Sequence, residues 1–412
     1  MPYSDLALTS VFLLLVTVSS QAQEATGLNP AHGPKAPLGY STSVAQLTGG
    51  DLLVGLPAGD LLVLDAETGE TLAQRAEPVV AAMCFWLSPD QRHIAIRQST
   101  GLPRIRPFDE ASLLSGAGPL DAADEGWGPV GIGERSPSGA IGRSAWAPGG
   151  KHLITWLQNW HHGPSKGSVR IWGLDGAQVW EGPFACDVTV HPTLDQIAFV
   201  EPDRVTIGWP GTGFRKVDLP GACCTIDYSP DGKQLALGGT CSQIRVEGEA
   251  PRLNQKWDGR ATVTIVDTAS AAILRRVQPE TGVFPRMWLQ RVSWSPKGDY
   301  LGFSAGKGYV GGVLRVGDMK TLWNQFSGAQ MWAILGGFWV SEDRYRPCFP
   351  LDYHEGDASF VFDVKDAGAR IMTPQRRWLG VTPLRDASDV IARHIAGIAR
   401  VNPKTMEVVW AR

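Results

Sequence analysis

Two short segments of the sequence contain side chains that could bind a metal ion or transfer protons. NWHHGP contains the adjacent residues His161 and His162, and LDYHEGD surrounds His354 with carboxylates. Adjacent residues of an extended chain point in opposite directions, so His161 and His162 are poorly placed to bind one metal ion. The sequence has no HExxH motif, no paired CxxC motif and no Ca²⁺-loop pattern. We therefore interpret these residues as solvated loop residues and expect no metal ion or cofactor. A composite site formed by both loops is the alternative.

A hairpin that recurs along the chain indicates which β-strands hold these segments in place. DYSPDGKQLALGG, residues 227–239, has a Ser-Pro-Asp-Gly turn between two short apolar runs. Proline presets the backbone at the first turn position, and Asp and Gly tolerate the positions that follow, so the segment predicts a β-hairpin. Related hairpins are FWLSPDQRHIAIR, AWAPGGKHLITW, VTVHPTLDQIAFV and SWSPKGDYLGFS. A second pair of short strands follows each hairpin, as in VRIWGLDGAQVW.

The repeating unit is therefore four antiparallel strands, and eight units fit between residues 41 and 412. A period of roughly 46 residues lies in the range of propeller blades, and no helical periodicity separates the units. A four-stranded sheet that cannot bury both faces alone buries them by stacking in a closed ring. The sequence predicts an all-β fold, an eight-bladed β-propeller over residues 41–412. Seven blades with one end unit as an appendage is the alternative.

The long insertions of the repeat fall on one side of the predicted ring. In a blade with strands a to d, the a–b and c–d turns lie on one face, here called the turn face. The b–c loops and d–a crossovers lie on the other face, the insertion face, and every long segment of this sequence belongs to it. Binding groups are commonly carried by loops on a rigid scaffold. The predicted binding residues are Trp127, Trp160, His161, His162, Trp257, Tyr309, Tyr353 and His354.

Other aromatic residues and the cysteines are assigned to the core. Four tryptophans precede the turns by one or two residues, which predicts packing between blades: Trp86, Trp146, Trp294 and Trp339. Cys223 and Cys224 are adjacent in a first strand, where packing or pairing with another thiol is expected. Cys241 follows the second strand of the same unit and so lies near the start of the first. The predicted disulfide joins Cys241 to Cys223 or Cys224.

Several of these motifs resemble known propeller repeats. GSVRIWGLDG resembles the third-strand signature of WD-repeat propellers, and the Ser-Pro-Asp-Gly hairpins are similar to those of WD-repeat-like and TolB-like bacterial propellers. LDAETGETLAQ and VNPKTMEVVWAR resemble the tryptophan-docking repeats of eight-bladed quinoprotein-like propellers. These motifs are turn and packing signals, so the resemblance implies a fold and no particular activity.

The composition and the N-terminal segment bear on partners and location. A net charge of -3 and the lack of a Lys/Arg run argue against nucleic-acid partners. The apolar run 11–18 is shorter than the roughly 20 residues that span a bilayer, and the small-residue pattern Ser20-Gln21-Ala22 follows it. We expect a signal peptide over residues 1–22 and a linker over 23–40. The mature chain is expected to be secreted or periplasmic and monomeric, with no membrane span.

These observations favour a non-catalytic scaffold that binds a protein partner. The sequence has neither a Gly-x-Ser-x-Gly elbow nor a phosphate-binding loop. The alternative is a propeller enzyme with its site at the mouth of the central channel, of the hydrolase, lyase or quinone-dependent dehydrogenase class.

Overall fold

The fold consists of eight antiparallel sheets arranged as the blades of a propeller. A computed structural model of the chain describes residues 43–56, 60–76, 82–98, 104–115, 141–158, 168–201, 203–221, 223–240, 261–279, 289–305, 310–326, 338–346, 360–366, 369–372, 378–384, 389–394 and 397–412. Within these ranges seven sheets have four strands and one sheet has three. Neighbouring strands in the chain pair in order within every sheet.

The elements of blades 1 to 4 are β1 (Ser43–Gln46), β2 (Leu52–Gly55), β3 (Asp60–Leu64), β4 (Thr71–Ala76); β5 (Ala82–Leu87), β6 (His93–Gln98), β7 (Arg104–Pro107), α1 (Glu110–Ser115); β8 (Ile141–Trp146), β9 (His152–Gln158), β10 (Ser168–Gly173), β11 (Gln178–Phe184); β12 (Asp187–Val190), β13 (Ile197–Glu201), β14 (Arg204–Trp209), β15 (Gly213–Asp218).

Those of blades 5 to 8 are β16 (Cys223–Tyr228), β17 (Gln234–Thr240), β18 (Ala261–Asp267), β19 (Ile273–Val277); β20 (Leu289–Trp294), β21 (Tyr300–Ala305), β22 (Val310–Arg315), β23 (Lys320–Phe326); β24 (Phe338–Ser341), β25 (Arg344–Arg346), β26 (Phe360–Asp363), β27 (Ala369–Met372); β28 (Trp378–Pro383), β29 (Val390–His394), β30 (Gly397–Val401), β31 (Val408–Ala411).

The eight-bladed prediction is confirmed. The first and last units form separate sheets, so the seven-bladed alternative is wrong. Apolar clusters occupy all eight junctions between neighbouring blades, including the junction between blade 8 and blade 1. The ring is therefore closed by packing of sheet faces, and none of the described strands is shared between blades 1 and 8.

Blade 2 departs from the predicted repeat. The short helix α1 follows its third strand, where the pattern predicts a fourth strand. Asp109 caps this helix, because its carboxylate accepts the backbone N–H groups of Ala111 and Ser112. The Glu110 carboxylate accepts the N–H of Gly49 in the turn of blade 1. Among the described residues, no helix is both long and apolar enough to span a bilayer.

The recurring turn is held by hydrogen bonds from its serine. In blade 5 the Ser229 hydroxyl donates to the Asp231 carboxylate (2.7 Å) and accepts the N–H of Gln234 (2.9 Å). Ser88 of blade 2 makes the same two contacts, with Asp90 and the N–H of His93. The Ser-Pro-Asp-Gly motif is thus a structural device that fixes the start of the second strand.

The predicted tryptophans join neighbouring blades. Trp146 and Trp294 are buried, and Trp86 and Trp339 pack against inter-blade clusters. The indole N–H groups donate to backbone carbonyls in the first strand of the preceding blade; the pairs are Trp146 to Trp86 (2.9 Å), Trp294 to Asp227 (3.1 Å) and Trp339 to Ser293 (3.1 Å). Each indole therefore buries apolar area and satisfies a carbonyl at the inner edge of its neighbour.

The junction between blades 8 and 1 closes the ring with the same kind of contact. The Trp410 indole N–H donates to the Ala66 carbonyl (2.9 Å), and the ring lies so close to Gly69 that a Cβ there would be 2.8 Å from it. Arg400 donates to the same carbonyl (2.9 Å) and pairs with buried Asp389 (2.6 Å). Trp410 therefore docks on the LDAETGE turn, as the resemblance to tryptophan-docking repeats implies.

Replacing Trp410 by Ala should destabilise the protein by about 3–5 kcal/mol, because a large buried side chain and its hydrogen bond to Ala66 are lost. The free energy of unfolding from urea titrations measures this. Val409→Ala is the control, since Val409 is 40% exposed on the same strand. Equal losses in the two variants would show that the docked indole is not what closes the ring.

Candidate functional site

The insertion face is defined by the strand ends that meet there. In blade 3 the first residue of the inner strand, Ile141, pairs with the last residue of the second strand, Gln158. In blade 6 Leu289 pairs with Ala305, which in turn pairs with Val310, the start of the third strand. The b–c connections and d–a crossovers therefore leave each sheet at one edge, and the a–b turns leave it at the opposite edge.

The predicted binding residues belong to those connections. All eight lie outside the described residues: Trp127, Trp160, His161, His162, Trp257, Tyr309, Tyr353 and His354. Their role in binding on the insertion face stays a prediction. What is described is the rigid edge to which their segments attach, in blades 2, 3, 5, 6 and 7. Among the described residues, no group of three or more His, Cys, Asp or Glu side chains is arranged to hold a metal ion.

The inner strands at the central channel are cross-linked by polar groups that sequence reasoning missed. The inner edge of each sheet has N–H and C=O groups with no ladder partner, and side chains of the adjacent blade bind several of them. The contacts are Phe85 N–H to Ser43 Oγ (3.0 Å), Ile226 N–H to Asp187 Oδ2 (3.4 Å), Trp294 N–H to Asp227 Oδ2 (3.0 Å) and Thr382 Oγ1–H to the Val44 carbonyl (3.3 Å). For the Asp187 and Asp227 contacts, the sequence signal that could have predicted them is a carboxylate within an otherwise apolar inner strand.

A β-bulge recurs near the insertion-face end of the inner strand. In blades 2, 5, 6 and 8 the register shifts by one residue there, leaving one residue unpaired: Met83, Cys224, Gln290 and Leu379. The bulge explains how adjacent Cys223 and Cys224 both join the apolar cluster between blades 4 and 5, which strict alternation would forbid.

The three cysteines whose side chains are described are buried, and burial makes their thiols unreactive. Cys186, Cys223 and Cys224 are free thiols, and Cys241 lies outside the described residues, so the predicted disulfide stays a prediction. Burial raises the pKa of Cys223 to about 12 and raises the pKa of Cys224 as well. The Cys224 thiol donates to the Leu289 carbonyl in blade 6 (2.7 Å). Because thiolates are disfavoured here, these cysteines are suited to packing and not to nucleophilic chemistry.

The turn face is occupied by contacts between blades. The Glu342 carboxylate of blade 7 accepts the Ser295 hydroxyl (2.7 Å) and the Lys297 N–H (2.5 Å) of the blade 6 turn. His191 Nδ1 accepts the Leu194 N–H (3.0 Å) in its own turn, and its ring also hydrogen-bonds the Gly232 backbone of blade 5. Burial lowers the pKa of His191, which favours a neutral, structural imidazole.

Comparison with known proteins supports the fold. No protein-family model and no curated protein matches the chain. The solved structure of dihydro-heme d1 dehydrogenase NirN in complex with DHE aligns with a TM-score of 0.55 and 11% identity, over 93% of this chain and 75% of that one. The fold is that of an eight-bladed β-propeller. The β-propeller domain of Cps50 (Swd1) from Myceliophteria thermophila aligns with a TM-score of 0.44 and 13% identity, over 88% of this chain and 95% of that one. At these identities the likeness concerns the fold alone.

Asp227 makes the stability of this propeller depend on pH. Burial raises its pKa from 3.8 to about 6, partly offset by the Trp294 N–H and the positive charge of Arg291. Between about pH 4 and 6 the unfolded chain releases a proton that the folded chain retains, so stability should fall as the pH rises through this window.

Asp227→Asn should therefore gain stability relative to the wild type across that window, by up to about 3 kcal/mol above pH 6. The Asn side-chain oxygen can still accept the Trp294 N–H. Urea unfolding of both proteins from pH 4 to 8 tests this. Asp318→Asn is the control, because the exposed Asp318 has its pKa lowered by the Lys320 N–H. A difference between wild type and Asp227→Asn that stays flat over the window would contradict the assignment.

Proposed function

We propose that this chain is a secreted or periplasmic scaffold that binds a protein partner through its insertion face. The sheet register is the observation that carries the proposal. Because of this register, the connections that contain Trp160, Trp257 and Tyr309 all leave their sheets at the same edge of the ring. Aromatic residues on loops of a rigid scaffold supply the anchors that dominate protein interfaces.

The two faces differ in the groups they offer to a partner. Described polar groups of the turn face, such as Glu342 and His191, are used in bonds between blades or within the turns. Described channel carboxylates, such as Asp187 and Asp227, are similarly used at the inner strands. These groups stabilise the ring, which favours the insertion face for recognition.

Replacing Trp160 or Trp257 by Ala should weaken partner capture about 30-fold or more while leaving the stability nearly unchanged, since truncating an anchor costs about 2 kcal/mol. The measurement is quantitative mass spectrometry of proteins cross-linked to the tagged chain in its native host, compared between variants. A turn-face variant, Lys233→Ala, should capture the same partner as wild type, because Lys233 is 80% exposed there.

Trp294→Ala is the complementary control. Trp294 is 7% exposed between blades 5 and 6, so its truncation should destabilise the fold by roughly 3–5 kcal/mol. If the loop variants unfold while Trp294→Ala is stable, the loop tryptophans serve the core and Trp294 does not, contrary to the proposal. If neither loop variant changes capture of any protein, the insertion face is not the binding surface.

The proposed location has its own test. The apolar run 11–18 and the pattern Ser20-Gln21-Ala22 predict that the chain is exported and cleaved after about residue 22. N-terminal sequencing of the protein recovered from the native host should begin near Gln23. A mature protein that begins at Met1 would contradict export by cleavage.

The enzyme hypothesis predicts a different outcome. A quinone-dependent dehydrogenase would retain a chromophore and a stoichiometric metal ion, so an absorbance scan and metal analysis of protein purified from the native host would reveal both. Finding them would replace the scaffold proposal by the enzyme hypothesis.

A further inference from the structure

A row of polar side chains lies on blade 6 where it faces blade 7. The row consists of Arg291 and Ser293 on the inner strand and Ser304 on the second strand, and is called the blade 6 polar row. Arg291 pairs directly with Ser304, and Ser293 pairs with Gly302. Directly paired residues of antiparallel strands share one face of the sheet, with their Cβ atoms about 5 Å apart. A Cβ on Gly302 would be 2.2 Å from the Tyr345 ring of blade 7, which identifies the face.

Two hydroxyl groups of the row have no hydrogen-bond partner among the described residues. The oxygens of Ser293 and Ser304 are buried and unpaired, and Ser304 is 6% exposed. A buried hydroxyl without a partner destabilises the folded protein, and buried polar atoms are rarely left in this state. The corresponding inner-strand oxygens of blades 4 and 5, on Asp187 and Asp227, bind the N–H groups of the next blade. The blade 6 polar row therefore differs from the corresponding positions of blades 4 and 5.

Arg291 brings a positive charge to the same row. It is only partly exposed, and it makes no hydrogen bond or ion pair with any described residue. The negative charge that acts on it comes from Asp227 on blade 5, whose Oδ2 accepts the Trp294 N–H. A guanidinium group has five donors, and a half-buried one normally binds carboxylate or phosphate oxygens.

From these groups we infer that the blade 6 polar row binds a small oxyanion of the phosphate or carboxylate type. Arg291 supplies the charge and a forked pair of donors, and the hydroxyls of Ser293 and Ser304 donate to the remaining oxygens. The paired positions on this face, Gly302 and Gly311, have no side chains that compete for the anion. A metal cation is disfavoured by the charge of Arg291.

The inner strand also places this row near the channel mouth. Arg291 is the third residue of its strand from the insertion-face end and directly follows the β-bulge at Gln290. Bulges redirect the side chains beside them and are frequent next to binding sites. Arg291 is partly exposed, so the row meets solvent at the guanidinium group.

Titration of the full chain with inorganic phosphate tests the inference, with acetate as a second oxyanion and chloride at matched ionic strength as the reference. Binding is followed by calorimetry and by the shift in Tm. Wild type should show saturable binding of phosphate, acetate or both, and none of chloride. The relative affinities for phosphate and acetate then identify the oxyanion class.

Arg291→Gln should weaken this binding at least about 10-fold, since a hydrogen bond to a charged group is lost. Ser304→Ala should weaken it roughly 5- to 10-fold. In chloride alone, however, Ser304→Ala should be at least as stable as wild type, because the variant removes an unpaired buried hydroxyl. Arg315→Gln on the same blade is the control and should bind like wild type, since the exposed Arg315 already pairs with Asp318.

The inference is overturned if wild type shows no saturable oxyanion binding or if Arg291→Gln binds with wild-type affinity. If Arg291→Gln fails to fold, Ser304→Ala decides, and unchanged affinity in that variant overturns the site. Because the assay needs no protein partner, its failure is distinguishable from failure of the scaffold proposal.

Discussion

Each blade of this ring depends on its neighbours because a four-stranded sheet exposes two apolar faces. The buried clusters lie between sheets at all eight junctions, so removing one blade would expose two apolar faces at once. The junction between blades 8 and 1 also joins the two ends of the described chain. Arg400 and Ala66 meet there although 334 residues separate them. Closing so long a loop costs conformational entropy, which a docked indole and a buried ion pair help to offset.

Packing of the sheet faces does not satisfy the backbone polar groups at the inner edge of each sheet. The channel-side N–H and C=O groups of the inner strands have no ladder partner, and an unpaired strand edge is costly when buried and prone to wrong pairing when exposed. Side chains of the adjacent blade meet this need at several positions, for example Asp187 for the Ile226 N–H and Asp227 for the Trp294 N–H. The burial of Asp227 raises its pKa as a consequence, so a contact that orients two blades also gives them a pH dependence.

Local signals in the sequence predicted the parts of the fold that local contacts determine. The Ser229 turn bonds residues within five positions of each other, and its motif is readable in the sequence. The tryptophans before the turns were also predictable, because they recur one or two residues before the turn in four units of the repeat. The Asp187 and Asp227 contacts were missed because their partners lie 39 and 67 residues away and have no motif of their own. Helix α1 was missed for a similar reason, since it depends on the Asp109 cap and on a contact to blade 1.

The sequence predicts on which side of the ring the candidate binding face lies, but not how the residues there are arranged. Antiparallel order and tight a–b turns fix which edge of each sheet carries the insertions, and the register of blades 3 and 6 agrees with that assignment. The blade 6 polar row shows what the repeat pattern cannot reveal. Arg291 and Ser304 are neighbours because the pairing that begins at the tight turn, with Trp294 opposite Leu301, continues without a shift as far as Arg291. In blade 5 the bulge at Cys224 instead brings two thiols into an apolar cluster. The bulge therefore serves packing in blade 5, whereas in blade 6 it ends the unshifted pairing directly beside Arg291.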